Sequence, residues 1–239
     1  PKKVTPDIDK KIVDTDSNEA FANSDGKADT AAIGDEIEFE ITGKVPDMTG
    51  YKYYYYNVQD TLSDGLTLDT SSFEVYITRP DLKGEDMAVY GSGTTKATEY
   101  VLVNSDDADN DTAEKDIYYV YTGDDAKPYT FILAFENLME LADKTNPTGV
   151  IPGDVIHIRY KATVNKDALV GNLANTNEAD LKFSNDPSDS NRKDEDDDTP
   201  GLPDDDVITG LTPKKKTYTF VTELTICKTD ENGLPLKGA

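Results

Sequence analysis

Glu36-Ile37-Glu38-Phe39-Glu40-Ile41 alternates acid and apolar residue at every step. A period of two belongs to an extended strand with one dry face and one wet face, because successive side chains point to opposite sides. Similar short runs recur at 53–58, 66–68, 73–77, 100–103, 117–121, 155–164 and 176–183. Turn residues separate them, among them Pro46-Asp47, Asp64-Gly65, Gly123-Asp124 and Pro152-Gly153-Asp154. Many short strands with regular breaks predict an all-β sandwich. Only FENLMELADK, residues 135–144, reads as a short helix.

The 239 residues carry 48 Asp and Glu against 24 Lys and Arg, a formal net charge of −24. That balance excludes the basic footprint of a nucleic-acid binder and disfavours docking on an anionic membrane surface. No run approaches the roughly 18 apolar residues of a membrane-spanning helix. The single cysteine, Cys227, forms no internal disulfide, and the single histidine, His157, makes a histidine-based metal site or a Ser-His-Asp triad improbable. Two acidic stretches stand apart. In NSDDADNDTAEKD, residues 104–116, the alternating Asp107, Asp109 and Asp111 suggest calcium, but an EF-hand loop needs glycine where Thr112 stands and glutamate where Tyr118 stands. The expectation is a solvated acidic loop, with no metal and no cofactor. The second stretch, rich in Asp, Pro and Gly, predicts a linker at 188–213, dividing a domain at 1–187 from the first strands of another at 214–239.

One strand poses a problem. In Ile8-Asp9-Lys10-Lys11-Ile12 the isoleucines share a face with Lys10, so burying them drives an amine into the core. A lone buried ammonium is strongly disfavoured unless it is paired or loses its charge. Asp60 likewise shares a face with Val58 and Leu62. Asn177 and Asn185 lie at the two ends of a strand face that also carries Ala179, Leu181 and Phe183. A buried Lys, Asp and Asn brought together can form an isopeptide bond. Burial favours the neutral amine and the neutral acid, the amine attacks the carboxamide carbon, the acid polarises the carbonyl and ammonia leaves. Such a reaction happens once per molecule, which is self-modification and not enzymatic turnover.

The chain resembles the backbone subunits of sortase-assembled pili of Gram-positive bacteria, specifically their isopeptide-forming second domain. The resemblance is carried by Pro6 to Ile12, Ile33-Gly34-Asp35-Glu36-Ile37, Asp60-Thr61-Leu62-Ser63-Asp64-Gly65-Leu66, Tyr160-Lys161-Ala162-Thr163-Val164-Asn165, Asn175-Thr176-Asn177-Glu178-Ala179 and Phe183-Ser184-Asn185-Asp186-Pro187. It implies an immunoglobulin-like, Cna-type β-sandwich with one short helix and long acidic loops. It further implies Lys10 as the amine, Asp60 as the catalytic acid and Asn185 as the acceptor, since Phe183 to Pro187 matches the family's Tyr-Ser-Asn-x-Pro motif with Phe183 in place of tyrosine. Asn177 is the alternative acceptor. Pro1-Lys2 matches the end of the family's Tyr-Pro-Lys motif, whose lysine a sortase joins to the next subunit. Residues 227–239 resemble the start of a Cna B-type domain, with Lys228 in the place of its bonding lysine. The implied setting is extracellular and cell-wall-anchored, with neighbouring pilin subunits as covalent partners. An adhesin reading, in which Tyr51 to Tyr56 or the acidic loops hold a host glycan or matrix protein, is the alternative; a glycoside hydrolase ranks last, for want of a pocket motif.

Overall fold

The structure, a computed structural model, describes residues 6–13, 25–79, 99–101, 103–104, 117–141, 150–188 and 199–222. Among them run thirteen strands: β1 Ile8–Ile12, β2 Ala28–Ala31, β3 Glu36–Lys44, β4 Tyr56–Leu62, β5 Leu66–Thr78, β6 Glu99–Val101, β7 Val103–Asn104, β8 Ile117–Thr122, β9 Phe131–Phe135, β10 Val155–Val164, β11 Ala174–Ser184, β12 Thr209–Leu211 and β13 Lys215–Val221. One sheet has the order β1-β3-β10-β5-β6; the other has the order β2-β13-β11-β4-β9-β8-β7, with β12 also pairing with β11. All pairings between these strands are antiparallel except β13 with β2 and β7 with β8.

The sequence alternation translates directly into burial. In β3 Ile37, Phe39 and Ile41 point inward, and in β10 Ile156, Ile158, Tyr160, Ala162 and Val164 do so. Val58 and Leu62 of β4, Leu133 of β9 and Ala179, Leu181 and Phe183 of β11 meet them from the opposite sheet. The all-β sandwich expected from the strand spacing is the fold observed.

Two expectations change. Phe135, read as the first residue of a helix, instead closes the strand Phe131–Phe135. Its residues are buried between β4 and β8, where ladder pairing outweighs local helix propensity. A single 3-10 turn follows at Leu138–Glu140, capped by the Asn137 side chain, which accepts from the Met139 N–H; residues 142–149 lie outside the described residues.

The second change concerns the predicted linker and following domain. Thr209–Leu211 pairs with Lys182 to Ser184, and Lys215–Val221 pairs with Ala174 to Ala179, so β12 and β13 complete one edge of β11 in the same sandwich. Thr212 joins them: its N–H donates to the Leu181 carbonyl at 3.0 Å and its Oγ1 accepts the Leu181 N–H at 2.9 Å. Thr217, Thr219 and Val221 are buried. The physical reason is that β11, a central strand, would otherwise expose a row of unpaired backbone groups. The segment before β12 also covers the outer face of β4. Asn57 Nδ2 donates to the Gly201 carbonyl at 2.7 Å. Gly201 has a positive φ of 79°, and a Cβ there would collide with the Phe135 carbonyl, so only glycine fits. Residues 189–198 and 223–239 lie outside the described residues.

It follows that a chain ending at Pro187 lacks β12 and β13, the partners on one edge of β11. Such a truncation is expected to lose the cooperative thermal transition that the chain ending at Thr222 retains. Equal melting curves for the two would place the domain boundary back at 187.

Candidate functional site

Strand β1 shows the alternation that the sequence predicted: Ile8, Lys10 and Ile12 are buried while Asp9 and Lys11 are exposed. Lys10 is fully buried, and so are Asp60 and Asn177. Lys10 Nζ lies 2.5 Å from Asp60 Oδ2 and donates to the Tyr160 hydroxyl. The hydroxyl donates to Asp60 Oδ2 at 2.9 Å and accepts from Asn177 Nδ2 at 2.8 Å. The Lys10 amine sits 5.3 Å from the centroid of the Phe39 ring and 5.0 Å from that of Tyr160.

Strand register assembles this quartet. In one sheet Lys10 stands opposite Ile41 on one side of β3, and Tyr160 stands opposite Phe39 on its other side. Ile41 and Phe39 share the inward face, so Lys10 and Tyr160 enter the core from either flank of one strand. In the other sheet Asp60 stands opposite Ala179, two residues from Asn177, which makes Asp60 and Asn177 diagonal neighbours on one face. Each sheet contributes two side chains. The Tyr160 ring is held by Phe39 and Phe73, each stacked on it at 5.5 Å between centroids, and by Phe131 edge-on at 4.9 Å.

Electrostatics follow from the dry site. Burial pushes the Lys10 amine below its usual pKa, against the pull of Asp60. Burial pushes the Asp60 carboxyl above its usual range, against Lys10 and Tyr160. Both directions favour neutral partners, a free amine beside a protonated acid. The Tyr160 hydroxyl is raised well above its usual value, chiefly by burial and then by Asp60, and stays protonated. Two oxygens of the quartet are buried without a hydrogen-bond partner: Asp60 Oδ1 and Asn177 Oδ1. A neutral amine beside a carboxamide, with an acid at hand, has what nucleophilic acyl transfer requires.

The structure therefore brings together Lys10, Asp60 and Asn177 and leaves Asn185 out. Asn185 is exposed beyond the end of β11, where its backbone N–H donates to the Ile208 carbonyl at 3.1 Å. Eight residues of strand separate it from Asn177, about 26 Å. Tyr160 was missed as a site residue. Its signal was present: it is a hydroxyl on the apolar strand face of Ile156, Ile158, Ala162 and Val164. Lys2 and Lys228 lie outside the described residues, as does most of the acidic loop at 104–116.

The tyrosines at 51 and 53–56, considered as a ligand platform, are all buried. Tyr53 packs on Tyr55 and donates to the Glu136 carbonyl, and Tyr51 packs on Tyr54. The run is core, and presents no stacking surface. Among the described residues no cluster of His, Cys, Asp and Glu is arranged to hold a metal ion, and no helix is long and apolar enough to cross a membrane.

No protein-family model matches the chain, and no curated protein matches it by sequence. Solved structures do. The 35 kDa C-terminal fragment of the major pilin of Streptococcus agalactiae superposes with a TM-score of 0.53, at 14% identity, covering 97% of this chain and 61% of that one. The fold is that of a pilin β-sandwich. A backbone pilin of Streptococcus pyogenes (22% identity, 92% of this chain and 36% of that one, TM-score 0.49) is also similar. So is the pilus backbone protein RrgB of Streptococcus pneumoniae (18% identity, 76% and 32%, TM-score 0.46). The chain spans between 32% and 61% of the length of these three structures.

On the outer face of β3, Glu40 offers a contrast with Asp60. It too is buried, at 3% exposure, but it faces two cations and an imidazole: Lys11 Nζ at 2.6 Å, Arg159 Nε at 3.1 Å and His157 Nδ1 at 3.3 Å. The His157 ring first, then Lys11 and Arg159, hold its carboxyl well below the usual carboxylate range. A depressed folded-state pKa contributes stability above the unfolded value of 4.5, and that contribution is lost as pH falls. Glu40→Gln is expected to cost about 2 kcal/mol near pH 7. The difference from the parent protein should shrink as melting is measured at pH values below the ordinary carboxylate range. A constant difference down to acid pH would remove charge from the explanation.

Proposed function

We propose that this chain is a structural module of a Gram-positive pilus backbone, stiffened by an intramolecular isopeptide bond between Lys10 and Asn177 with Asp60 as its acid. The reading rests above all on the convergence of a buried amine, a buried carboxyl and a buried carboxamide in one solvent-shielded site between the two sheets. The fold shared with a major pilin supports it, and so does the absence of any internal disulfide. Asn177 takes the acceptor role first assigned to Asn185.

In this reaction the neutral Lys10 amine attacks Asn177 Cγ, carbonyl electrons move to Oδ1, and collapse of the tetrahedral state breaks the Cγ–Nδ2 bond. A proton on Asp60 Oδ1, the oxygen without a partner, is available to stabilise the developing oxyanion. Folding supplies most of the acceleration by holding the reacting groups side by side. One bond forms per chain, no cofactor takes part, and the product is a brace and not a turned-over substrate. In the pilus, neighbouring subunits joined by a sortase through Lys2 are the partners, outside the cell and anchored to its wall.

Intact mass of the denatured protein decides the matter. Loss of ammonia makes the chain lighter than its sequence mass by about 17 Da. The deficit is expected to vanish in Lys10→Ala, Asp60→Ala and Asn177→Ala and to persist in Asn185→Ala. A full sequence mass in the unaltered chain would overturn the crosslink. The bond closes a loop over most of the fold, a constraint comparable to a long-range disulfide of about 5 kcal/mol. Lys10→Ala should therefore melt about 10–20 °C lower, and an unchanged melt would sink the brace.

A further inference from the structure

The reacting groups pose a proton-balance problem that the acid alone does not solve. The neutral Lys10 amine carries two hydrogens and keeps one in the amide, whereas Asn177 Nδ2 carries two and must depart with three. One proton has to travel from Nζ to Nδ2. The Tyr160 hydroxyl hydrogen-bonds both of these nitrogens, accepting from Lys10 Nζ and from Asn177 Nδ2, while its own hydrogen goes to Asp60 Oδ2. A hydroxyl has one hydrogen and two lone pairs, so all three are engaged, and all three point at participants in the reaction.

Resting on the crosslink reading, we propose that Tyr160 is a second catalytic residue: its hydroxyl relays the proton from the attacking amine to the departing nitrogen. As Nζ bonds to Cγ, the Tyr160 oxygen takes one hydrogen from Nζ while the hydroxyl hydrogen swings from Asp60 Oδ2 to Nδ2. The Cγ–Nδ2 bond breaks and ammonia leaves. Tyr160 ends as it began, a neutral hydroxyl, and Asp60 is left to serve the carbonyl oxygen. No oxidant, metal or outside base is required. The phenol suits this work because three aromatic rings pin its ring, so the oxygen is held in place before reaction. Its raised pKa fits a hydroxyl that passes a proton on without ionising.

Tyr160→Phe keeps the ring and removes the relay. The full chain and this variant would be made by cell-free synthesis, quenched in acid over time and weighed intact. Crosslinking is expected to slow by about 100-fold in the variant, the scale of a lost general acid–base, with far-ultraviolet circular dichroism matching Lys10→Ala. A variant that sheds ammonia as fast as the parent chain overturns the relay while leaving the crosslink standing. A parent chain of full sequence mass overturns both. Should Tyr160→Phe fail to fold, 3-fluorotyrosine at position 160 keeps the packing and makes the hydroxyl more acidic. A changed rate supports the relay, and an unchanged rate overturns it.

Discussion

Everything distinctive about this sandwich depends on one amine buried away from solvent. Lys10 lies between two isoleucines on a strand whose inward face cannot turn outward without exposing both of them. An isolated buried charge would cost several kcal/mol, so the surrounding fold must either pair the amine or keep it neutral. It does so with groups drawn from both sheets: Tyr160 from the amine's own sheet, Asp60 and Asn177 from the facing one. The arrangement is strict because side-chain direction has a period of two. A slip of one residue in β1, β4, β10 or β11 would send its member of the quartet to solvent.

Two buried carboxylates show how local surroundings assign opposite chemistry to one functional group. Glu40, ringed by Lys11, Arg159 and His157, is held as an anion and ties β1, β3 and β10 together from outside. Asp60 meets one amine in an apolar setting, where desolvation outweighs the Coulomb attraction and drives the pair toward neutrality. The first arrangement is a static clasp. The second is chemically poised, because a neutral amine is a nucleophile and a neutral acid is a proton donor.

The position of the quartet also has a mechanical meaning. β1 is an edge strand, hydrogen-bonded to β3 along five residue pairs. β11 lies near the centre of the opposite sheet, flanked by β4 on one side and by β12 and β13 on the other. A covalent link between Lys10 and Asn177 would fasten an edge strand of one sheet to the middle of the other. Tension on the termini would then meet a bond instead of a five-pair ladder.

The alternation of residues by itself determined strands such as β1, β3, β10 and β11, the inward face of each and the burial of Lys10 and Asp60, because side-chain direction in a strand is a local property; Phe131–Phe135, buried at every position, has no alternation to read. Local properties also limited what could be read. Asn177 and Asn185 have the same parity along the chain, and only the register of β11 against β4, with the stacking of the two sheets, decided which of them shares the Tyr160 hydroxyl with the amine. Tyr160 was visible as a hydroxyl on an apolar face, but its contacts with Lys10, Asp60 and Asn177 arise from strands far apart in sequence. Likewise 199–222 reads as a linker and a fresh strand, since polarity and proline content describe a segment in isolation. Its place in this sandwich was decided by the unpaired edge of β11, which nothing short of the tertiary structure reveals.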